Sequence, residues 1–309
     1  MTARAACAGF IVVLPLVTLG AAGQQPIRVG IDLVHFAVVV TDRQGAPISG
    51  LTVDDFELIE RGRPQHVQFF AASDSATSPP LHLGFLLDAS GSMEADMKDV
   101  RSAAIKFLNQ NEHAVDVTLV DFDTEVRVAR YGPDDYPRLI ERIRMRKPSG
   151  YTAFYDALGV YLRGAWTQNG LKVLVAYTDG GDTRSTTHAG EVVDLLKVSD
   201  VTMYALGYLQ GHTSSSRSSA QLELQRFSAM TGGQAFFPSS PKELDGLYEK
   251  IQKEISSRYI LGYTSSDERA DGSWRPVEIK LKRSDLRGAK LRTRPGYFAP
   301  VAPGASTRR

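Results

Sequence analysis

A chain of 309 residues with 42% hydrophobic and 23% charged residues has the composition of an ordinary globular protein, long enough for one large domain with an appendage or for two domains. Its formal net charge of +1 argues against nucleic acid or an anionic membrane surface as partner. The single cysteine, Cys7, precedes the first apolar run, so a chain processed after that run has no disulfide, thiolate metal site or cysteine nucleophile.

The amino-terminal segment reads as an export signal. Arg4 supplies a positive start, residues 10–19 (FIVVLPLVTL) form an apolar core of signal length, and Ala21, Ala22 and Gly23 make a small-residue cleavage site. The run is short for a membrane span of about 20 residues, so no membrane insertion is expected once residues 1–23 are removed. Residues 27–40, 51–60 and 66–72 are then expected as short strands, separated by turns at residues 42–45 and 61–64. They give a β-rich head over 24–75, closed by the polar linker 73–80.

From residue 76 to 257 strands and helices alternate. Strands are expected at 81–88, 115–122, 125–131, 171–177, 201–209 and 234–237, the third as an antiparallel edge partner of the second. Helices are expected at 93–111, 136–146, 152–167, 191–198, 218–230 and 241–257. Connections of this length imply parallel neighbours and a doubly wound sheet covered on both faces. The basic stretch 142–147 (RIRMRK) has a helical pattern and reads as a solvated face. Residues 258–264, 276–282, 290–293 and 296–298 return to β character, making a tail over 258–300, with a disordered end at 301–309. Because the two β-rich ends bracket the α/β block, head and tail are expected to pair into one smaller all-β sandwich carrying the α/β domain as an insertion.

The chemistry concentrates where the first buried strand stops. Residues 81–93 (LHLGFLLDASGSM) are apolar up to Asp88, and Asp88, Ser90 and Ser92 then place a carboxylate and two hydroxyls at alternate positions. In an open α/β sheet, ligands lie outside the carboxyl ends of the strands. Thr152 sits at a helix start after Gly150, and Asp179 ends the strand over 171–177. If that strand neighbours 81–88, Asp88 and Asp179 stand about 5 Å apart on adjacent strand ends, where two carboxylates repel unless a cation or a proton intervenes. Hard oxygen donors of this kind suit a hard divalent cation such as Mg²⁺. Each residue singly also fits a helix cap or a turn; together and in this order they favour a site. Asp121 and Asp123, near the end of the next strand, suit a second ion site or a solvated edge.

Asp88-x-Ser90-x-Ser92, then Thr152, then Asp179 in TDG resembles the metal-ion-dependent adhesion site of the von Willebrand factor type A domain family, the fold shared with integrin inserted domains. The resemblance covers about residues 81–257 and implies a six-stranded sheet of order 3-2-1-4-5-6 with the third strand antiparallel. It also implies Mg²⁺ or Mn²⁺ held by Asp88, Ser90, Ser92, Thr152 and Asp179, directly or through water, with an Asp or Glu carboxylate of a partner protein completing the octahedron. The signal, the head segment LTVDDFELIERGRPQHVQFF and the tail segments YILGYTSS and RPGYFAP resemble a secreted bacterial family, the acidobacterial VWFA-related domain proteins. The function expected is that of a secreted, periplasmic or cell-surface protein that grips a protein partner without catalysis. The alternatives are an envelope-assembly component whose ion only rigidifies its loops and a metal-dependent hydrolase. The last lacks an H-E-x-x-H helix, a G-x-S-x-G elbow and a histidine beside Ser90 in sequence.

Overall fold

The structure, a computed structural model, describes residues 33–179, 181–210 and 213–301. The expected signal over 1–23, the first residues of the head, and positions 302–309 of the expected disordered end lie outside the described residues. Among the described residues no helix is long and apolar enough to cross a membrane.

The head supplies β1 (Val34–Thr41), β2 (Phe56–Glu60), β3 (Arg63–Gln65) and β4 (Phe69–Ala72). The α/β segment follows with β5 (Leu81–Asp88), α1 (Met97–Asn109), β6 (Asp116–Phe122), β7 (Val126–Tyr131), α2 (Tyr136–Met145) and α3 (Phe154–Ala165). It continues through β8 (Leu171–Thr178), α4 (Ala189–Val198), β9 (Val201–Gly207), α5 (Ser214–Met230), β10 (Gln234–Phe236) and α6 (Leu244–Ser256). The tail adds β11 (Tyr259–Tyr263), β12 (Trp274–Leu281), β13 (Lys290–Arg292) and β14 (Gly296–Phe298).

The six-stranded sheet runs β10-β9-β8-β5-β6-β7, with β7 antiparallel to β6 and the other pairs parallel. This is the expected order. Every residue of β5 is buried, because helices cover both faces and a central parallel strand meets no water. Leu83, Phe85 and Leu87 pack with Val100, Phe107, Tyr248 and Ile251 from α1 and α6 on one face. Leu86, Leu174 and Ala176 pack with Phe154, Leu158, Val192 and Leu224 from α3, α4 and α5 on the other. Gly84 lets the second face close: a Cβ there would lie 2.2 Å from the buried Tyr161 ring.

Head and tail interleave in the two remaining sheets, β13-β1-β11-β4 and β14-β12-β2-β3, all of whose pairs are antiparallel. Each sheet takes strands from both ends of the chain, so neither end completes a core alone. Phe36, Val38, Phe56 and Leu58 of the head pack against Tyr259, Leu261, Tyr263, Val277 and Tyr297 of the tail. The α/β domain is therefore an insertion in a smaller all-β unit. Several element bounds differ from the sequence reading: the helix expected from residue 218 starts at Ser214, the strand expected over 66–72 is confined to Phe69–Ala72, and the strand expected from residue 51 begins at Phe56. The expected turn 61–64 is tighter, with Arg61 and Gly62 alone at positive φ, and Arg63 to Gln65 form β3. Pro64 is tolerated there because β3 is an edge strand. The helix expected from residue 93 starts at Met97, after a short 3-10 turn over Gly91–Met93.

Candidate metal centre

β5 and β8 are parallel neighbours with Leu87 opposite Tyr177, so their carboxyl ends bring Asp88 and the Thr178-Asp179 pair to one rim of the sheet. Asp88 is fully buried and serves the loop that follows it. Its Oδ1 accepts from the Ser90 backbone N–H at 2.9 Å and the Ser90 hydroxyl at 2.6 Å, and its Oδ2 accepts from the Thr178 hydroxyl at 2.7 Å. Ser90 Oγ lies 3.1 Å from Ser92 Oγ, and the Ser92 hydroxyl donates to Asp179 Oδ2 at 2.5 Å. Four of the five expected residues thus form one continuous chain of oxygen contacts across two strand ends.

Thr152 reaches the same place by a separate loop. Ser149 N–H donates to Ala89 O at 2.9 Å and Gly91 N–H to Gly150 O at 3.1 Å, lacing residues 149–152 to the loop after β5. Gly150 is required by geometry: its φ is +71°, and a Cβ would lie 2.3 Å from Thr124 Oγ1. Thr152, Ser92 and Asp179 line one cavity of about 620 Å³ with Asp96, Thr183 and Tyr208. The Thr152 backbone is held by Thr183, whose N–H donates to Thr152 O at 2.9 Å and whose hydroxyl accepts from Thr152 N at 3.0 Å. No hydrogen bond engages the Thr152 hydroxyl among the described residues.

The loop carrying Thr183 is itself fixed to the start of α3. Asp182 accepts from Tyr155 N at 3.3 Å and Ser185 Oγ at 2.6 Å, while Asp156 accepts from the backbone N–H groups of Thr186 and Thr187 at 3.0 and 2.9 Å. Sequence patterning missed Thr183 and the Asp88 partner Thr178. Thr178 precedes Asp179 in the TDG stretch, so its signal was present; the contact of Thr183 joins residues 31 apart and has no local signature.

Burial, and then the nearby charge of Asp179, push the Asp88 carboxyl up to about 7. On the cavity wall, burial and Asp99 raise Asp96 as well. The described residues contain no group of three His, Cys, Asp or Glu side chains placed to hold a metal ion. The donors here are two carboxylates and three hydroxyls, all hard oxygen, which fits Mg²⁺ or Mn²⁺ and not a thiolate or imidazole metal.

A pH dependence follows from Asp88. In the metal-free protein the folded state keeps the Asp88 proton up to about pH 7, whereas an unfolded carboxyl loses it near pH 4. Stability is fully present below the unfolded value and falls as pH rises from about 4 to about 7, by no more than about 4 kcal/mol. Denaturant unfolding of metal-free protein across this range checks it. The Asp88→Asn variant should lack most of that decline; an identical pH profile for wild type and variant would contradict it.

Asp121 and Asp123 are not arranged as a second ion site. Asp121 accepts from Arg142 Nε at 2.8 Å and pairs with Arg146 Nε at 3.1 Å. Asp123 pairs with Arg127 at 3.2 Å and with Arg146, and accepts from Ser149 Oγ at 3.1 Å. The stretch 142–147 is accordingly not wholly a solvated face: Arg142 and Arg146 turn inward because buried carboxylates on the neighbouring strand need counter-charges.

The profile of the von Willebrand factor type A domain matches residues 82–250. No curated protein matches the chain. Among solved structures, the vWF domain of the type V pili tip protein Mfa5 from Porphyromonas gingivalis aligns at TM-score 0.50 and 14% identity, over 58% of this chain and 96% of that one. The PilB minor pilin from Streptococcus sanguinis aligns at TM-score 0.48 and 15% identity, over 59% of this chain and 62% of that one. A von Willebrand factor type A protein from Catenulispora acidiphila aligns at TM-score 0.48 and 12% identity, over 88% of this chain and 75% of that one. The chain thus spans under two thirds of the PilB structure. With the profile covering more than half of its residues, and a sheet in the order 3-2-1-4-5-6, the chain belongs to the von Willebrand factor type A domain family.

Proposed function

We propose that this is an exported, non-catalytic binding protein that grips a partner protein through a divalent cation, Mg²⁺ or Mn²⁺, at the ends of β5 and β8. The observation that carries the reading is the chain of contacts from Ser90 to Ser92 to Asp179, each within hydrogen-bond distance of the next, with Ser92 and Asp179 beside Thr152 in one cavity. Ser92, Thr152 and Asp179 face that cavity and, with Ser90 next to Ser92, are the residues that would hold the cation. Asp88 and Thr178 stand behind them, with Asp88 fixing Ser90 through both a backbone and a side-chain bond. When bound, the cation supplies an electrophilic centre that exchanges a water for an external carboxylate oxygen. An Asp or Glu of the partner is therefore the expected contact.

Export rests on the sequence of residues 1–23, and surface display is supported by analogy of fold alone, since the Mfa5 domain comes from a pili tip protein. The described part of the cavity wall presents hydroxyls, carboxylates and Tyr208, hard oxygen groups that suit an ion and its exchangeable ligand. The test is capture of surface or secreted proteins by the immobilised chain in Mg²⁺, in EDTA, and with Asp179→Ala. Capture in Mg²⁺ alone, lost in EDTA and in the variant, is expected. A partner retained equally in EDTA would contradict ion-mediated gripping and leave the ion as a loop staple at most. Metal-dependent release of product from hydrolase substrates would point instead to an enzyme.

A further inference from the structure

A second cleft lies where the sandwich meets the α/β domain, at the amino-terminal end of β10 and so on the opposite rim of the sheet from Asp88. It has a volume of about 390 Å³, and Arg43, Lys250, Lys290 and Arg292 line it together with a single carboxylate, Glu254. The sequence spacing dictates the clustering. Lys290 and Arg292 are two apart on β13 and share a face of that strand. Lys250 and Glu254 are four apart on α6 and share a face of that helix.

The single acid does not balance the cations. Glu254 is buried and occupied by Arg292 Nη2 at 2.6 Å, while Arg292 Nη1 is buried with no hydrogen-bond acceptor. Lys250 Nζ lies 5.0 Å over the Phe236 ring, and neither Lys250 nor Lys290 enters an ion pair among the described residues. Arg43 donates to Arg287 O at 3.0 Å, and the neighbouring Asp42 is taken up by the N–H groups of Gln44 and Ala46. In a chain of net charge +1 this is a local concentration of positive charge held in a cleft, where field lines are focused.

We propose that the cleft binds a small molecule carrying phosphate or sulfate ester groups. Four cations call for a multiply charged oxyanion more than for a single carboxylate, and arginine and lysine together suit the phosphate or sulfate group. The volume exceeds that of one such group and falls in the range of small-ligand sites. Because Arg43, Lys290 and Arg292 belong to the sandwich and Lys250 to α6, a bound oxyanion fastens the two domains together.

Titration calorimetry of the chain freed of divalent ions, at low salt, tests this with two probes: inorganic pyrophosphate and a sulfated disaccharide. At least one probe should saturate with a dissociation constant at or below about 1 mM and weaken steeply with added salt. The Lys250→Gln/Lys290→Gln double variant, altered at side chains with no ion pair to lose, should bind at least about tenfold more weakly. Lys98→Gln on the exposed face of α1 and Asp179→Ala at the metal centre should bind as wild type does. Failure of both probes to saturate, equal binding by the double variant, or loss of binding in Asp179→Ala would overturn the proposal.

Discussion

Replacing Asp179 with alanine should weaken Mg²⁺ binding by about a hundredfold or more, the scale on which even residues behind a metal's direct ligands act. The effect is one of charge. Of the two carboxylates at the strand ends, Asp88 has both oxygens committed to Ser90 and Thr178, so Asp179 is the one that faces the cavity. Its loss should not unfold the protein. Asp179 is the like charge that, after burial, raises Asp88, so its removal relieves a repulsion in the metal-free state. Calorimetric Mg²⁺ titration paired with metal-free thermal melts separates the two effects. Lost affinity with an unchanged or higher metal-free melting temperature is expected; retained affinity, or collapse of the metal-free protein, would count against Asp179 as a ligand.

Replacing Glu60 with alanine should be the more damaging change to the fold. Glu60 ends β2 inside the sandwich, where its Oε2 accepts from Tyr263 at 2.6 Å and Tyr297 at 3.0 Å and its Oε1 from Ser265 at 2.8 Å. Arg275, buried like Glu60, lies 3.8 Å away and donates to Tyr297 Oη at 3.3 Å. The group joins β2 of the head to β11, β12 and β14 of the tail, across both sheets. Burial, with Glu60 beside it, also holds the Tyr263 hydroxyl well above its ordinary range. Alanine strands two phenols and takes the buried counter-charge from Arg275, which keeps Asp267 at 3.8 Å and the Arg269 carbonyl; removal of one partner from a buried pair costs about 3–5 kcal/mol. Denaturant unfolding should show that loss, with Glu60→Gln partly restored because the amide oxygen still accepts from the tyrosines. A change within the range of surface substitutions would show that the network does not hold the sandwich together.

The features legible in the sequence are those written locally. An eight-residue buried strand ended by a carboxylate and alternating hydroxyls identifies β5 and its rim, and the regular exchange of strands and helices dictates a doubly wound sheet. The bracketing of that block by β-rich ends is what made the mixed sandwich readable. The rest is written between distant residues. Arg142 turns inward because Asp121, 21 positions earlier, is buried on the adjacent strand, and no helical pattern reveals that. Glu60 and Tyr263 are 203 residues apart, and each alone looks like an ordinary strand residue. Thr183 escaped for the same reason, whereas Thr178 stood in plain view in the TDG stretch and only its contact with Asp88, 90 positions earlier, was hidden. The basic cleft combines residues of β13 and α6, so nothing in the modest net charge announces it.

In the proposed function Ser90, Ser92, Thr152 and Asp179, backed by Asp88, hold one divalent cation. Anomalous diffraction from crystals of the protein grown with millimolar Mn²⁺ locates that cation. A single strong Mn²⁺ peak within direct or one-water reach of Ser92, Thr152 and Asp179, and a partner or crystal-neighbour carboxylate or water on its outward side, is the expected result. No peak there, or Mn²⁺ bound elsewhere in the same crystals, would rule out these residues as the cation's ligands.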